Sequence, residues 1–266
     1  MKSYLGYSTY REEDTTKMKK LDHEFLACVE KYQIKHWSIP AMISGNILKR
    51  CGYFSTLPQQ ITKISTIKRE RLEPLACGCE YHLNSDDYDS SSTMFLTPAA
   101  CLHFYPMLEE IPAYNEIITT LARVYRYEDG KFECGVRQWD FTVREFVAVG
   151  SKEFVTQFLT NMENKLVQLA KMNQLKVNVE NANDHFYPNK LNSMKERFQK
   201  NNNLKKELVA SVNGQNIAIA SFNYHDLHFS KEFGFDKNAT VVTGCVGCGV
   251  DRWIYCINAT KAHLDK

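Results

Sequence analysis

The clearest pattern along this chain is helical. Phe154, Val155, Phe158, Leu159, Met162, Leu166 and Leu169 recur at three- and four-residue spacing, which predicts an amphipathic helix over 151–172 whose stripe is core packing. Leu21, Phe25, Cys28, Val29 and Tyr32 repeat the pattern and predict a helix over 20–33. A shorter helix is predicted over 41–51, ending at Gly52. In L-T-P-A-A-C-L-H-F-Y-P, Thr97 is placed to cap and Pro98 to occupy the first helical position, which predicts a helix start with Cys101 about one turn in. Strand character appears at 217–225, and 241–255 reads as strand, glycine turn, then helix. The run S-D-D-Y-D-S-S-S at 85–92 is a surface loop. From 183 to 206 the chain turns polar, with Lys190, Lys195, Arg197, Lys200, Lys205 and Lys206 among asparagines, and reads as an exposed insertion with a positive face.

Against this background one segment carries charge where a sheet buries apolar groups. R-V-Y-R-Y-E at 123–128 and R-Q-W-D-F-T-V-R-E-F-V-A-V-G at 137–150 read as two strands of a hairpin. Period two places Trp139, Phe141, Val143, Glu145 and Val147 on one face, so a carboxylate interrupts an apolar row. A buried carboxylate costs several kcal/mol unless it is paired or binds a metal. On the first strand Val124, Arg126 and Glu128 share a face, which offers a platform for an anionic ligand and an aromatic ring; an edge hairpin with solvated charges fits the same residues.

Composition narrows the classes. A chain of 266 residues that is 44% hydrophobic can bury a sizeable core, and its net charge of +2 gives no support to wholesale nucleic-acid binding. No segment approaches a membrane span and the N-terminus has no signal-peptide run, so a cytoplasmic protein is expected. Nine cysteines, an odd number, point to reduced thiols or metal ligands over a disulfide framework. Gly244, Gly247 and Gly249 followed by Arg252 permit close approach to a ligand, and Arg126 and Arg252 are suited to clamp a triphosphate from two ends. Ser-His-Asp and Cys-His nucleophile patterns are lacking.

R-Y-E with R-x-W-x-F-x-x-R-E resembles motif 2 of class II aminoacyl-tRNA synthetases, and G-C-V-G-C-G-V-D-R-W resembles their motif 3. The segments L-T-P-A-A-C-L-H-F-Y-P, F-T-V-R-E-F-V-A-V-G, N-A-N-D-H-F, A-S-F-N-Y-H-D-L-H-F and T-G-C-V-G-C-G-V-D-R-W, in this order, are similar to the amino acid:carrier-protein ligases, truncated relatives of archaeal-type seryl-tRNA synthetases. The resemblance covers roughly 37–258. It implies an α+β fold with an antiparallel sheet flanked by helices, and one catalytic domain over 1–266 with a helical extension over 1–35 and the polar insertion at 183–206. It also implies a homodimer formed through 35–70. ATP and Mg2+ would activate an amino acid as its adenylate, and the phosphopantetheine thiol of a carrier protein would take the aminoacyl group. No tRNA is expected, because the separate tRNA-binding domain is missing.

By residue, the resemblance assigns Arg126 to the α-phosphate, Glu128 to the adenine edge, Phe141 to stacking on adenine and Arg252 to the γ-phosphate. It assigns Zn2+ to Cys101, Glu145 and Cys245, with the metal taking the substrate's amino group. Cys248, in C-x-x-C with Cys245, is the alternative ligand, and Cys77 with Cys79 could complete a four-thiolate site. Asp184, Ser221 and Asn223 are candidates for substrate contacts, and Glu207 for Mg2+. His103, His225 and His228 are read as structural. Where the relatives tend to carry D-P-F-F this chain has Asp184-His185-Phe186-Tyr187, a departure that bears on amino-acid preference. The competing expectations are a small tRNA-charging enzyme and a non-catalytic paralogue that binds an amino acid or nucleotide.

Overall fold

The computed structural model describes residues 2–78, 82–108, 115–236 and 240–264. In chain order its elements are strands β1 (Lys2–Tyr4) and β2 (Tyr7–Thr9), helix α1 (Glu12–Ala27), strands β3 (Ile34–His36) and β4 (Met42–Ser44), and helices α2 (Gly45–Arg50), α3 (Tyr53–Thr56) and α4 (Arg69–Ala76). Then come β5 (Met94–Leu96), α5 (Phe104–Met107), β6 (Glu116–Tyr125), β7 (Asp140–Gly150), α6 (Lys152–Met172), β8 (Val177–Asn181) and α7 (Lys190–Asn201). The chain closes with β9 (Lys205–Val212), β10 (Gln215–Asp226), α8 (His228–Phe233), β11 (Val242–Gly249) and α9 (Val250–Leu264).

A seven-stranded sheet in the order β3-β6-β7-β11-β10-β9-β8 organises these elements. Every neighbouring pair in it is antiparallel except β3 with β6, which is parallel. Alternation along the strands sends side chains to two different cores. One face packs Phe146, Ala148, Phe222, Val246 and Cys248 against Phe25 of α1, Phe158 and Leu166 of α6 and Trp253 of α9. The other face joins Ile118, Val147 and Cys245 to Cys101, Tyr105, Phe229 and Phe233. The second face carries the candidate site. Among the described residues no helix is long and apolar enough to cross a membrane.

The predicted helix over 151–172 is α6, capped by the Ser151 hydroxyl, which accepts from Phe154 N. Other expectations are corrected. The helix predicted over 20–33 runs instead from Glu12 to Ala27, and Val29 is buried in the turn after it. The region 41–51 begins as strand β4 before α2. Thr97 caps nothing: its hydroxyl donates to Pro40 O and lies 2.9 Å from His103 Nε2, and a 3-10 turn over Ala100–His103 precedes α5. The three glycines of 244–249 lie within β11, which runs directly into α9 without a separate turn. In the surface run 85–92, Asp87 is buried and pairs with Arg71 at 2.7 Å.

One buried ion pair ties α1 to the seven-stranded sheet. Arg144 Nε and Nη2 donate to the two Asp22 oxygens, each at 2.6 Å, and Nη1 donates to Thr119 Oγ1 at 3.2 Å. Both side chains are largely removed from water, so removing one partner strands the other charge. Asp22→Ala is therefore expected to lower the unfolding free energy by about 3–5 kcal/mol. Urea titration tests this, and a loss below about 1 kcal/mol would contradict it.

Candidate active site

The hairpin of β6 and β7 pairs along its whole length, from Glu116 opposite Val149 to Tyr125 opposite Asp140. It is shorter than the sequence reading: β6 ends at Tyr125, so Arg126 lies just beyond it, and β7 begins after Trp139. Glu128 is not on the strand. It opens a 3-10 turn with φ of 51° and pairs with Arg137 at 3.5 Å. This connection is held from outside by the turn between β1 and β2. Trp139 N donates to Gly6 O at 2.7 Å, and at Gly6 (φ 94°) any Cβ would collide with the Trp139 ring.

Arg126 Nε donates to Pro98 O at 2.8 Å, and its guanidinium lies 5.5 Å from the centre of the Phe141 ring. Burial works against its charge, but Tyr53, Glu128, Asp184 and Glu145 outweigh it and raise its pKa. Arg252, in the first turn of α9, donates from Nε to Val136 O (2.6 Å) and from Nη1 to Ala218 O (3.0 Å). Burial lowers its pKa, Glu128 opposes that, and the Arg126 charge adds to the depression. Two half-buried guanidiniums in each other's field form a cationic floor that an anionic ligand would stabilise.

Beside Arg126 lie Cys101, Glu145 and Cys245, one from the turn before α5, one from β7 and one from β11. All three are buried, and one ligand atom from each lies within 4.8 Å of the others. The row continues across the sheet. Cys245 is opposite Asn223, and Asn223 is opposite Lys205. Asn223 Nδ2 donates to Cys245 Sγ and to Ser221 Oγ, each at 3.4 Å. Gly247 stands between Glu145 and Ser221 in register. A Cβ there would stand 3.1 Å from a Glu145 carboxylate oxygen and 3.4 Å from Ser221 Oγ, so glycine keeps the floor open.

Burial pushes the Glu145 carboxyl up to about 7, against the hydrogen bonds from Cys245 and Cys101 and the charge of Arg126. Its hydrogen bond with Cys101, then burial and the Glu145 charge, push the Cys245 thiol well above its ordinary value. Without a cation, burial thus disfavours charge on both Glu145 and Cys245. The donor set of two thiols and one carboxyl is of the kind zinc takes, and three protein ligands leave a position open.

The structure separates the alternative ligands from this cluster. Cys248 lies on the opposite face in the core with Trp253. Cys77 is exposed and disulfide-bonded, and Cys79 lies outside the described residues. Asp184 Oδ1 accepts from Lys205 Nζ (2.7 Å) and Oδ2 from Gln199 Nε2 (2.9 Å). Burial would raise the Asp184 pKa, but Lys205 reverses this and holds it below its usual value. Glu207 pairs with the same lysine at 3.1 Å. Lys205 thus leaves the predicted exposed positive face for a partly buried position between two carboxylates, and Lys206 pairs with Glu163 at 2.9 Å. Sequence reading missed the role of Lys205, although its alternation with Glu207 in K-K-E-L-V was the available signal. His103 lies against Thr97. His225 packs between Thr243 and Tyr105 and is held neutral, its pKa lowered by burial and by His228 to about 3.

No family model matches the chain. It is 28% identical over 222 residues to amino acid:acyl-carrier-protein ligase 2 of Bradyrhizobium diazoefficiens, covering 80% of this chain and 66% of that protein. For ligase 1 of the same organism the identity is 29%, over 80% of this chain and 67% of that one. It is also 25% identical to a type-2 serine–tRNA ligase of Methanococcus aeolicus, over 90% of this chain and 50% of that one. The chain therefore spans about two thirds of the length of the carrier-protein ligases and half that of the tRNA ligase. The M. kandleri SerRS solved in complex with A. aeolicus tRNASec superposes with a TM-score of 0.79 at 19% identity, covering 97% of this chain and 54% of that one. The resemblance read from the sequence is thus borne out: the chain is similar to amino acid:acyl-carrier-protein ligases and type-2 serine–tRNA ligases, and its α+β fold is that of the class II synthetase catalytic core.

Proposed function

We propose that this chain is a ligase that activates an amino acid with ATP and passes it to the phosphopantetheine thiol of a carrier protein. The observation that carries the reading is the convergence of Cys101, Glu145 and Cys245 beside Arg126 on one sheet face. Zn2+ held by these three residues would supply Lewis-acid capture of the substrate's amino group. Ser221 and Asn223 border that position, and Asp184 with Lys205 closes its far side.

In the first step an oxygen of the amino-acid carboxylate attacks the α-phosphorus of ATP, the bond to the β-phosphate oxygen breaks, and pyrophosphate leaves. Arg126 meets the charge developing on the α-phosphate and Arg252 holds the γ-phosphate, while Phe141 and Glu128 take the adenine ring and its edge; Mg2+, when bound, would offset phosphate charge. The arginines are held by backbone carbonyls before substrate arrives, so little reorganisation is left for the transition state. In the second step the carrier thiol gives its proton to solvent, its sulfur bonds to the carbonyl carbon, the bond from that carbon to the adenylate phosphate oxygen breaks, and AMP leaves. No protein nucleophile takes part. The chain works as a homodimer in this reading.

Helix α7 is the candidate dock for the carrier. Its inner side is polar: Asn192 Nδ2 donates to Ser55 O (2.9 Å) and Tyr187 O (2.8 Å), and Gln199 binds Asp184. Leu191, Met194 and Phe198 point outward, about 60% exposed, beside exposed Lys195, Arg197 and Lys200. An acidic carrier would meet both an apolar stripe and a positive rim. Reversing Lys195, Arg197 and Lys200 to glutamate is expected to slow carrier loading, and to weaken its salt dependence, with pyrophosphate exchange unchanged. Unaltered loading would dismiss α7.

The similarity to type-2 serine–tRNA ligases favours a second reading, tRNA charging. One experiment separates them. Amino-acid-dependent exchange of labelled pyrophosphate into ATP, run over the common amino acids, identifies the substrate, and transfer is then measured to a phosphopantetheinylated carrier and to tRNA. Thioester formation supports the carrier reading and efficient tRNA charging overturns it. Absence of exchange with every amino acid would support a non-catalytic paralogue.

A further inference from the structure

Thr120 occupies the middle of β6 directly opposite Glu145 of β7. Directly paired residues of an antiparallel ladder send their side chains to the same face, with Cβ atoms about 4.5–5.5 Å apart. Thr120 therefore borders the Glu145 side chain on the site face. It is 2% exposed, and its hydroxyl has no hydrogen-bond partner. Thr119, one residue earlier on the other face, shows what a satisfied hydroxyl looks like in this strand: it donates to Glu145 O at 2.7 Å and accepts from Arg144.

An orphaned buried hydroxyl costs roughly 1–3 kcal/mol, and the isosteric valine would avoid that cost. The preceding strand positions, Ile117 and Ile118, are apolar and fully buried. A buried hydroxyl at that position calls for an acceptor. The neighbouring acceptor is the Glu145 carboxylate. One of its oxygens lies beside Gly247, on the β11 side that also carries Cys245. Thr120 borders the same side chain from β6.

We propose that Thr120 is a positioning residue of the candidate metal site, its hydroxyl donating a hydrogen bond to the Glu145 carboxylate when that carboxylate holds a cation. The inference rests on the reading of Cys101, Glu145 and Cys245 as metal ligands and adds a residue that fixes the orientation of one of them. Ligating carboxylates are commonly held by such a second contact, whose loss costs about 10–100-fold in metal affinity.

Zinc affinity, measured by chelator competition, and the melting temperature of the zinc-free protein are the two readouts. Thr120→Val is expected to bind zinc about 10–100-fold more weakly. Its zinc-free form should melt at or above the wild-type temperature, because the orphaned hydroxyl is gone. Thr120→Ser, which keeps the hydroxyl, is expected to restore affinity. Wild-type affinity in Thr120→Val overturns the inference, as does a weakened Thr120→Val that Thr120→Ser does not rescue. A zinc-free Thr120→Val that melts well below wild type would mark Thr120 as ordinary packing and overturn it too. If the wild-type protein takes up no zinc, the metal-site reading itself fails and the inference falls with it.

Discussion

Arg126→Ala and Arg252→Ala are each expected to lower amino-acid-dependent pyrophosphate exchange on the order of a hundred-fold or more, the usual consequence of removing a preorganised charge from a transition state. Both side chains are half-buried, without a carboxylate at salt-bridge distance among the described residues. Each is held instead by carbonyl oxygens, one for Arg126 and two for Arg252. That difference predicts a second effect. Losing Arg252 leaves two carbonyls without their donor, at about 1–3 kcal/mol for each that stays unsatisfied, so its alanine variant should melt at a lower temperature than Arg126→Ala. Zinc content should be unchanged in both. Near-normal exchange in both variants would sink the proposed mechanism. A loss of exchange that tracks the loss of folded protein would reassign Arg252 to holding α9 against β10.

What was legible in the sequence is what periodicity records. The α6 stripe was plain because one helix face meets one sheet face over its whole length, and Phe158 and Leu166 are fully buried there. Glu145 stood out because strict alternation left one carboxylate in an apolar row. Other features depended on partners remote in the chain. Thr97 and Pro98 have the local chemistry of a helix start, yet Thr97 spends its hydroxyl on Pro40 O, a contact across 57 positions that no local window contains. Lys205 looked like one more surface lysine until the sheet placed it between Asp184 and Glu207. Helix α7 was hidden for a different reason. Its apolar residues at 191, 194 and 198 face outward and its buried side is built from Asn192 and Gln199, so its composition reads as loop while its backbone is helical. Asn189, whose side chain accepts from Asn192 N, was the one local signal of its start.

Cys101→Ala and Cys245→Ala are expected to abolish stoichiometric zinc, since either removes one of three ligands from a site with an open position. Retention of full zinc by both, with loss in Cys77→Ala, would place the metal elsewhere. The pH dependence gives an independent check. In the zinc-free protein Glu145 has its pKa raised from 4.5 to about 7. A carboxyl that binds its proton more tightly when folded stabilises the fold at low pH, and that contribution is lost as pH rises from the unfolded value through the folded one. Between about pH 4.5 and 7 the zinc-free protein should therefore lose about 3 kcal/mol from this group, with no further change above that range. Zinc reverses the sign, because it binds the carboxylate and the thiolates and each proton it displaces is released more easily at higher pH. Urea titrations at pH 5 and pH 8, with chelator and with excess zinc, should show zinc stabilising the protein far more at pH 8. The Cys245→Ala variant should show almost none of that difference. Equal stabilisation by zinc at the two pH values would exclude a site built from Glu145 and these thiols.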